Sequence, residues 1–177
     1  MTAPRLVLVG PPAAGKTTVG TAVARILGVP FRDTDADVED AAGTTVADLF
    51  VQHGEPHFRA LEERAVARAL AEHEGVLALG GGAVTSAATR ELLVAHGRAG
   101  GVVVWLDVDA ASAAKRVGLS RDRPLLAVNP RAMLRAMLEE RAPLYAEVAT
   151  AVVPTGGRTP QDVVADVLAA LPAGAGR

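Results

Sequence analysis

A chain of 177 residues, half of them apolar, has the size of one globular domain, and we expect a single domain over 1–177 with its core at about 5–171. Without cysteine the chain forms no disulfide and no thiolate metal site, and a formal net charge of −2 argues against a nucleic-acid partner. The apolar run near the N-terminus is too short for a signal peptide or a membrane span, so we expect a cytoplasmic monomer without a membrane partner.

Apolar strands alternate with helical stretches along the chain. Strands are predicted at 5–9, 31–33, 76–79, 102–107 and 151–154. Helices are predicted between them, at 16–27, up to about 74, and at 87–95, 110–117, 130–141 and 160–171. This alternation predicts an α/β fold with a five-stranded parallel sheet covered by helices. Residues 96–101 are interpreted as a surface loop, 118–128 as a mobile lid and 172–177 as a disordered tail.

A glycine-rich loop, GPPAAGKT at 10–17, directly follows the first predicted strand. It matches G-x-x-x-x-G-K-[ST], in which backbone N–H groups surround phosphates, the lysine adds a mobile positive charge and the threonine offers a hydroxyl to Mg²⁺. The helix that follows adds the positive end of its dipole. An ordinary glycine turn is disfavoured, because the strand before the loop and the amphipathic helix after it supply the context that the motif requires. We therefore expect nucleotide contacts at Ala13, Ala14, Gly15, Lys16, Thr17 and Thr18.

Two acids, Asp33 and Asp35, stand where the second predicted strand ends. Ligands of open parallel sheets bind at this edge, so both carboxylates are expected to face the phosphates. One can orient the water shell of Mg²⁺, and the other can accept a proton or a hydrogen bond from an attacking hydroxyl. A calcium loop over 33–44 is excluded, because glycine and glutamate are missing from its sixth and twelfth positions. Asp37 and Glu39 are interpreted as charges at a helix N-terminus.

Three consecutive glycines, 80–82, follow the third predicted strand. They form either a flexible turn or a backbone wall that a ligand can touch, and we favour the wall. Arg59 and Arg141 would each be interpreted alone as a solvated helix charge. Beside the glycines they suit a planar clamp for a carboxylate, which a guanidinium binds better than an ammonium.

Taken together, the motifs resemble the shikimate kinase family from residue 6 to about 171. The resemblance implies a three-layer αβα P-loop kinase fold of the nucleoside monophosphate kinase-like group, with sheet order 2-3-1-4-5 and a mobile lid. It also implies transfer of the ATP γ-phosphoryl group to the 3-hydroxyl of shikimate, with Mg²⁺ as cofactor, in the aromatic amino-acid pathway. The segments that carry it are GPPAAGKT at 10–17, DTD at 33–35, FR at 58–59, EE at 62–63, GGGAV at 80–84, RPLL at 123–126 and RAPLY at 141–145.

For the donor half of the site, the resemblance implies that Lys16 holds the β- and γ-phosphates. Thr17 would bind Mg²⁺, and Asp33 would act on the metal through water. Arg123, in the lid, would reach the phosphates and stabilise charge in the transition state. The family pattern implies further nucleotide contacts at Arg116, Arg123, Arg158 and Pro160.

For the acceptor half, the resemblance implies that Asp35 binds substrate hydroxyls, either as the catalytic base or only as an orienting acceptor. Arg59 and Arg141 would hold the carboxylate, and Glu62 would orient Arg59. Two aromatic rings, Phe50 and Phe58, are interpreted as pocket walls, with plain core packing as the alternative. The implied catalytic residues are Lys16, Asp35 and Arg123, and the implied substrate-binding residues are Asp35, Arg59, Gly80, Gly81, Gly82 and Arg141.

Two other functions remain open on the sequence. A gluconate or nucleoside monophosphate kinase would share the phosphate loop and the lid. A nucleotide-binding regulatory protein without catalysis is the second alternative, because Ala13 stands where the family commonly has glycine. A positive φ at that position would strain the loop.

Overall fold

A computed structural model describes residues 3–117 and 130–173 of the chain. Its five strands are β1 (Leu6–Val9), β2 (Phe31–Asp33), β3 (Val76–Ala78), β4 (Val103–Asp107) and β5 (Ala151–Pro154). They form one sheet in the order β2-β3-β1-β4-β5, and every pairing is parallel. In the central strand, Val7 pairs with Leu77 on one side and with Val103 on the other. The α/β class, the parallel sheet and the strand order are therefore confirmed.

Helices cover both faces of this sheet. Within the described ranges they are α1 (Lys16–Leu27), α2 (Thr34–Ala42), α3 (Val46–His53), α4 (Glu55–Glu72), α5 (Ala87–Arg98), α6 (Ala110–Val117), α7 (Pro130–Val148) and α8 (Pro160–Ala169), with a short 3-10 turn at Ala83–Thr85. Side chains of β1 alternate between the faces: Leu6 and Leu8 join the core under α1 and α8, whereas Val7 and Val9 join the core under α4 and α5. All four are buried, as expected for a strand with a core on each side.

The last long helix differs from its sequence prediction. The expected end at Arg141 is wrong, because α7 continues through Pro143 to Val148. A proline inside a helix costs about 3 kcal/mol. Tyr145 and Val148 lie beyond it and are 1% and 3% exposed, and burying one such side chain contributes about 1.5–3 kcal/mol. The packing of these two residues therefore offsets the cost of the proline.

The segment 96–101 is also more ordered than predicted. Residues 96–98 belong to α5, so the expected surface loop shortens to a turn after Arg98. Gly101 N–H donates to the His96 carbonyl at 2.9 Å, and Gly101 lies directly against the His96 imidazole. A β-carbon at Gly101 would overlap that ring, so any larger residue here would require His96 to move.

Two predicted segments fall wholly or partly outside the described residues: the lid at 118–128 and the last four residues of the tail at 172–177. None of the helices within 3–117 and 130–173 is both long and apolar enough to cross a membrane.

Candidate active site

A cleft of about 530 Å³ opens at the carboxyl ends of β1, β2 and β3. Most of the predicted site residues lie at this edge, because parallel strands bring the segments that follow them together in space. The predicted residues that line it are Ala13, Gly15, Lys16, Thr17, Thr18, Asp33, Asp35, Arg59, Gly81, Gly82 and Arg141. Phe50, Phe58 and Glu62 line it as well. Ala14 and Gly80 are buried and do not line the cleft.

The phosphate loop at 10–17 has three residues with positive φ, which are Gly10, Ala13 and Gly15. Gly15, with φ 93°, precedes α1, and no side chain caps the first turn of that helix. Its unsatisfied N–H groups and the helix dipole favour an anion at this end. Ala13 has φ 66° and is the only residue other than glycine with positive φ among those described. The strain suspected from the sequence is therefore present at Ala13.

Lys16 folds over the phosphate loop. Its Nζ donates to the carbonyl oxygens of Gly10 and Pro11 at 2.8 and 2.9 Å. Burial lowers the pKa of Lys16 to about 8, although the carboxylates of Asp35 and Asp33 oppose the shift. An anion bound in the loop would favour the charged form and raise this pKa.

Of the two acids, Asp33 is the last residue of β2 and Asp35 lies in the first turn of α2. Asp33 caps this helix: its Oδ1 accepts from the Asp35 N–H at 3.0 Å, while its Oδ2 accepts from the Thr17 hydroxyl at 3.0 Å. The cap leaves the Asp35 side chain in the cleft. Burial, and then the neighbouring Asp33, raises the pKa of Asp35.

Arg59 is fixed from several directions. Its guanidinium donates to Glu62 at 2.6 Å and to Glu55 at 3.3 Å, and it lies over the Phe58 ring at 5.2 Å from the centroid. Glu62 is only 2% exposed, and burial raises its pKa although Arg59 opposes the shift. This bond from Arg59 to Glu62 fits the orienting role that the family resemblance implies for Glu62.

A second oxygen of Glu62, Oε1, is buried without a hydrogen-bond partner in the described part of the chain. It lies against Gly80, next to Asp35. After burial, the charge of the neighbouring Asp35 also helps to raise the pKa of Glu62.

The glycine turn is packed too tightly for side chains. A β-carbon at Gly81 would approach Pro12 Cδ to 2.6 Å, and one at Gly82 would overlap the Arg59 guanidinium. Gly80 N–H donates to the buried Thr34 hydroxyl at 3.0 Å, which ties the turn to the start of α2. The turn is therefore a fixed wall of the cleft and not a flexible connection.

Three predicted nucleotide contacts lie away from the cleft. Arg116 donates to the Ala13 carbonyl at 2.8 Å and to the Thr155 carbonyl at 2.9 Å, so it ties the phosphate loop to the segment after β5. Arg158 pairs with Asp166 at 2.6 Å. Pro160 is the exposed first residue of α8. Arg123 lies outside the described residues.

Three residues at this site, Thr34, Tyr145 and Met137, had no role predicted from the sequence. Thr34 lies between the two acids and supports Gly80. Tyr145 donates to the Gly81 carbonyl at 2.5 Å, and its place four residues after Arg141 on α7 is the helical spacing that could have indicated it. Met137 lines the cleft and precedes Arg141 by four residues, so the same spacing applies.

Comparisons with known proteins agree with this geometry. The family model for shikimate kinase matches residues 12–172. A shikimate kinase of Frankia casuarinae is 61% identical over 165 residues, which cover 93% of this chain and 71% of that protein. One of Salinispora arenicola is 57% identical over 171 residues, which cover 97% of this chain and 99% of that protein.

Solved structures show the same relationship. Shikimate kinase from Acinetobacter baumannii, in complex with shikimate, matches with a TM-score of 0.85 and 37% identity, covering 95% of this chain and 92% of that one. A gluconokinase from Sinorhizobium meliloti matches with a TM-score of 0.60 and 22% identity, covering 95% of this chain and 91% of that one. At this low identity the match shows only a shared fold. The chain belongs to the shikimate kinase family and is an ATP-dependent phosphotransferase that acts on shikimate.

Proposed function

We propose that phosphoryl transfer takes place in this cleft, from ATP held by the phosphate loop to the 3-hydroxyl of shikimate held by Asp35 and two arginines. One observation carries the proposal: a single cleft is lined by Lys16 and Thr17 of the phosphate loop and also by Arg59, Arg141 and Asp35. Phosphoryl transfer requires mainly positioning and charge stabilisation from a protein. The groups that line the cleft can supply both the positioning and the charge stabilisation.

At the donor end, the N–H groups of the loop would bind the phosphates, and Lys16 would exchange its backbone carbonyl partners for phosphate oxygens. The Thr17 hydroxyl and the Asp33 carboxylate lie 3.0 Å apart beside the loop, and such oxygen donors suit Mg²⁺. We infer that these two residues would hold the ion, Asp33 through water. Bound there, Mg²⁺ would neutralise charge on the phosphates.

At the acceptor end, Arg59 and Arg141 would bind the shikimate carboxylate, because each guanidinium can offer two parallel donors. Asp35 would accept the proton of the attacking hydroxyl. Its raised pKa supports that role, because a base acts best with a pKa near the working pH.

Arg123, in the lid at 118–128, has an expected role in the same reaction. By the family resemblance, the lid would close over the phosphates and exclude water, which otherwise competes as the phosphoryl acceptor. Arg116, Arg158 and Pro160 stay predictions as nucleotide contacts. For Arg116, its bonds to the Ala13 and Thr155 carbonyls add a structural role.

The substitution Arg141→Lys tests the acceptor assignment. We expect the KM for shikimate to rise about tenfold or more with the KM for ATP nearly unchanged, because one ammonium cannot reproduce a bidentate guanidinium. Arg90→Lys is a matched control, since Arg90 also donates to a backbone carbonyl near the glycine turn, that of Val84, but does not line the cleft. An unchanged KM for shikimate in Arg141→Lys would contradict the acceptor site.

A further inference from the structure

The carbonyl oxygen of Gly81 accepts hydrogen bonds from two side chains of α7. Tyr145 Oη donates to it at 2.5 Å, and Arg141 Nη1 donates at 3.3 Å. Gly81 lines the cleft, whereas Tyr145 does not. One oxygen in the wall of the acceptor site is therefore shared between a proposed substrate-binding residue and a residue behind the wall.

Tyr145 is held firmly in its place. It is 1% exposed, and its ring stacks on the Trp105 indole with centroids 5.7 Å apart and an angle of 27° between the planes. Burial raises the pKa of Tyr145 to about 12, so the hydroxyl stays protonated and can donate at any ordinary working pH. The hydroxyl of Tyr145 is therefore available as a donor to Gly81 throughout the working pH range.

The longer bond is donated by Arg141, the residue proposed to bind the substrate carboxylate. Arg141 can bind a carboxylate through two of its N–H groups and still donate to Gly81, because a guanidinium has five donors and a carbonyl oxygen accepts two hydrogen bonds. The place of the Gly81 carbonyl therefore helps to set the orientation of Arg141. The shorter bond, from Tyr145, holds that carbonyl in place.

We propose that Tyr145 is a positioning residue for the acceptor: its hydroxyl fixes the Gly81 carbonyl, and this carbonyl orients Arg141 to bind the shikimate carboxylate. The same bond fixes the Gly81 peptide against Pro12, so the wall and the clamp keep a constant spacing. Tyr145 acts through Gly81 and Arg141 and does not touch the substrate. The inference rests on the proposed role of Arg141.

The variant Tyr145→Phe removes this hydroxyl and keeps the ring. We expect the KM for shikimate to rise about three- to tenfold, the size of one neutral hydrogen bond, while the KM for ATP and kcat change less than twofold. Thr150→Val is the matched control, because the Thr150 hydroxyl also bonds to backbone, at the N–H and carbonyl of Val103. Val103 is the first residue of β4, so this bond lies at the edge of the sheet opposite the cleft. It is expected to lower the unfolding temperature without changing either KM.

A double variant separates positioning from mere stability. Because the hydroxyl acts through Arg141, adding Tyr145→Phe to Arg141→Lys is expected to raise the KM for shikimate by less than the product of the two single effects. Equal changes in both KM values, no change for shikimate, or fully multiplicative effects would each overturn the inference. If Arg141→Lys alone leaves the KM for shikimate unchanged, the proposed acceptor site fails instead.

Discussion

The residue Ala13 offers a direct test of strain in the phosphate loop. Its φ of 66° lies in the left-handed region, which an L-residue occupies at a cost of about 1–2 kcal/mol. Two contacts impose this conformation: Arg116 donates to the Ala13 carbonyl at 2.8 Å, and the next N–H, of Ala14, donates to Pro11 O at 3.2 Å. Strain persists where surrounding contacts hold it in this way.

The substitution Ala13→Gly should therefore stabilise the protein. It relieves about 1–2 kcal/mol of backbone strain, and the greater freedom of glycine in the unfolded chain costs about 0.4–1 kcal/mol in return. The net gain is about 0.5–1 kcal/mol. For a chain of 177 residues, 1 kcal/mol shifts the unfolding temperature by about 2–4 °C, so we expect an increase of about 1–4 °C.

Thermal and urea unfolding of the free protein measure this gain, and Ala14→Gly is the matched control. Ala14 has no positive φ and is 1% exposed within the core, so its loss of a buried methyl should lower stability by about 1–2 kcal/mol. The two neighbouring variants are expected to shift in opposite directions. If Ala13→Gly is destabilised as much as Ala14→Gly, the left-handed conformation does not exist in solution and the argument is refuted.

Two further predictions concern the reacting groups. Asp35→Asn should lower kcat about 10²- to 10⁴-fold with the affinity for ADP retained, and a kcat within twofold of the parent enzyme would remove Asp35 from proton transfer. For Lys16, whose pKa is about 8 in the free protein, bound phosphates favour the charged form, so nucleotide binding above pH 8 must take up a proton. The affinity for ADP should therefore fall by up to about tenfold per pH unit above 8, as calorimetry in buffers of different ionisation enthalpy can measure. Equal affinities at pH 7 and pH 9 would contradict this assignment.

The nature of the fold and most of the cleft could be predicted from the sequence. Local patterns were sufficient for the phosphate loop, the strand that precedes it and the pair Asp33 and Asp35, because each depends on residues close together in the chain. The rule that parallel strands share a carboxyl edge then brought these segments together with the glycines at 80–82. The resemblance to a family supplied the strand order.

Tertiary packing decided what local patterns could not. Helix α7 continues past Pro143 because the residues beyond the proline are packed in the core. The bond from Tyr145 to Gly81 joins residues 64 positions apart, and the bond from Arg116 to Ala13 joins residues 103 positions apart. No short pattern encodes such contacts, because they exist only once helices and strands have packed. The sequence by itself therefore determined which chemical groups the enzyme possesses, whereas the packing decided which of them hold the others in place.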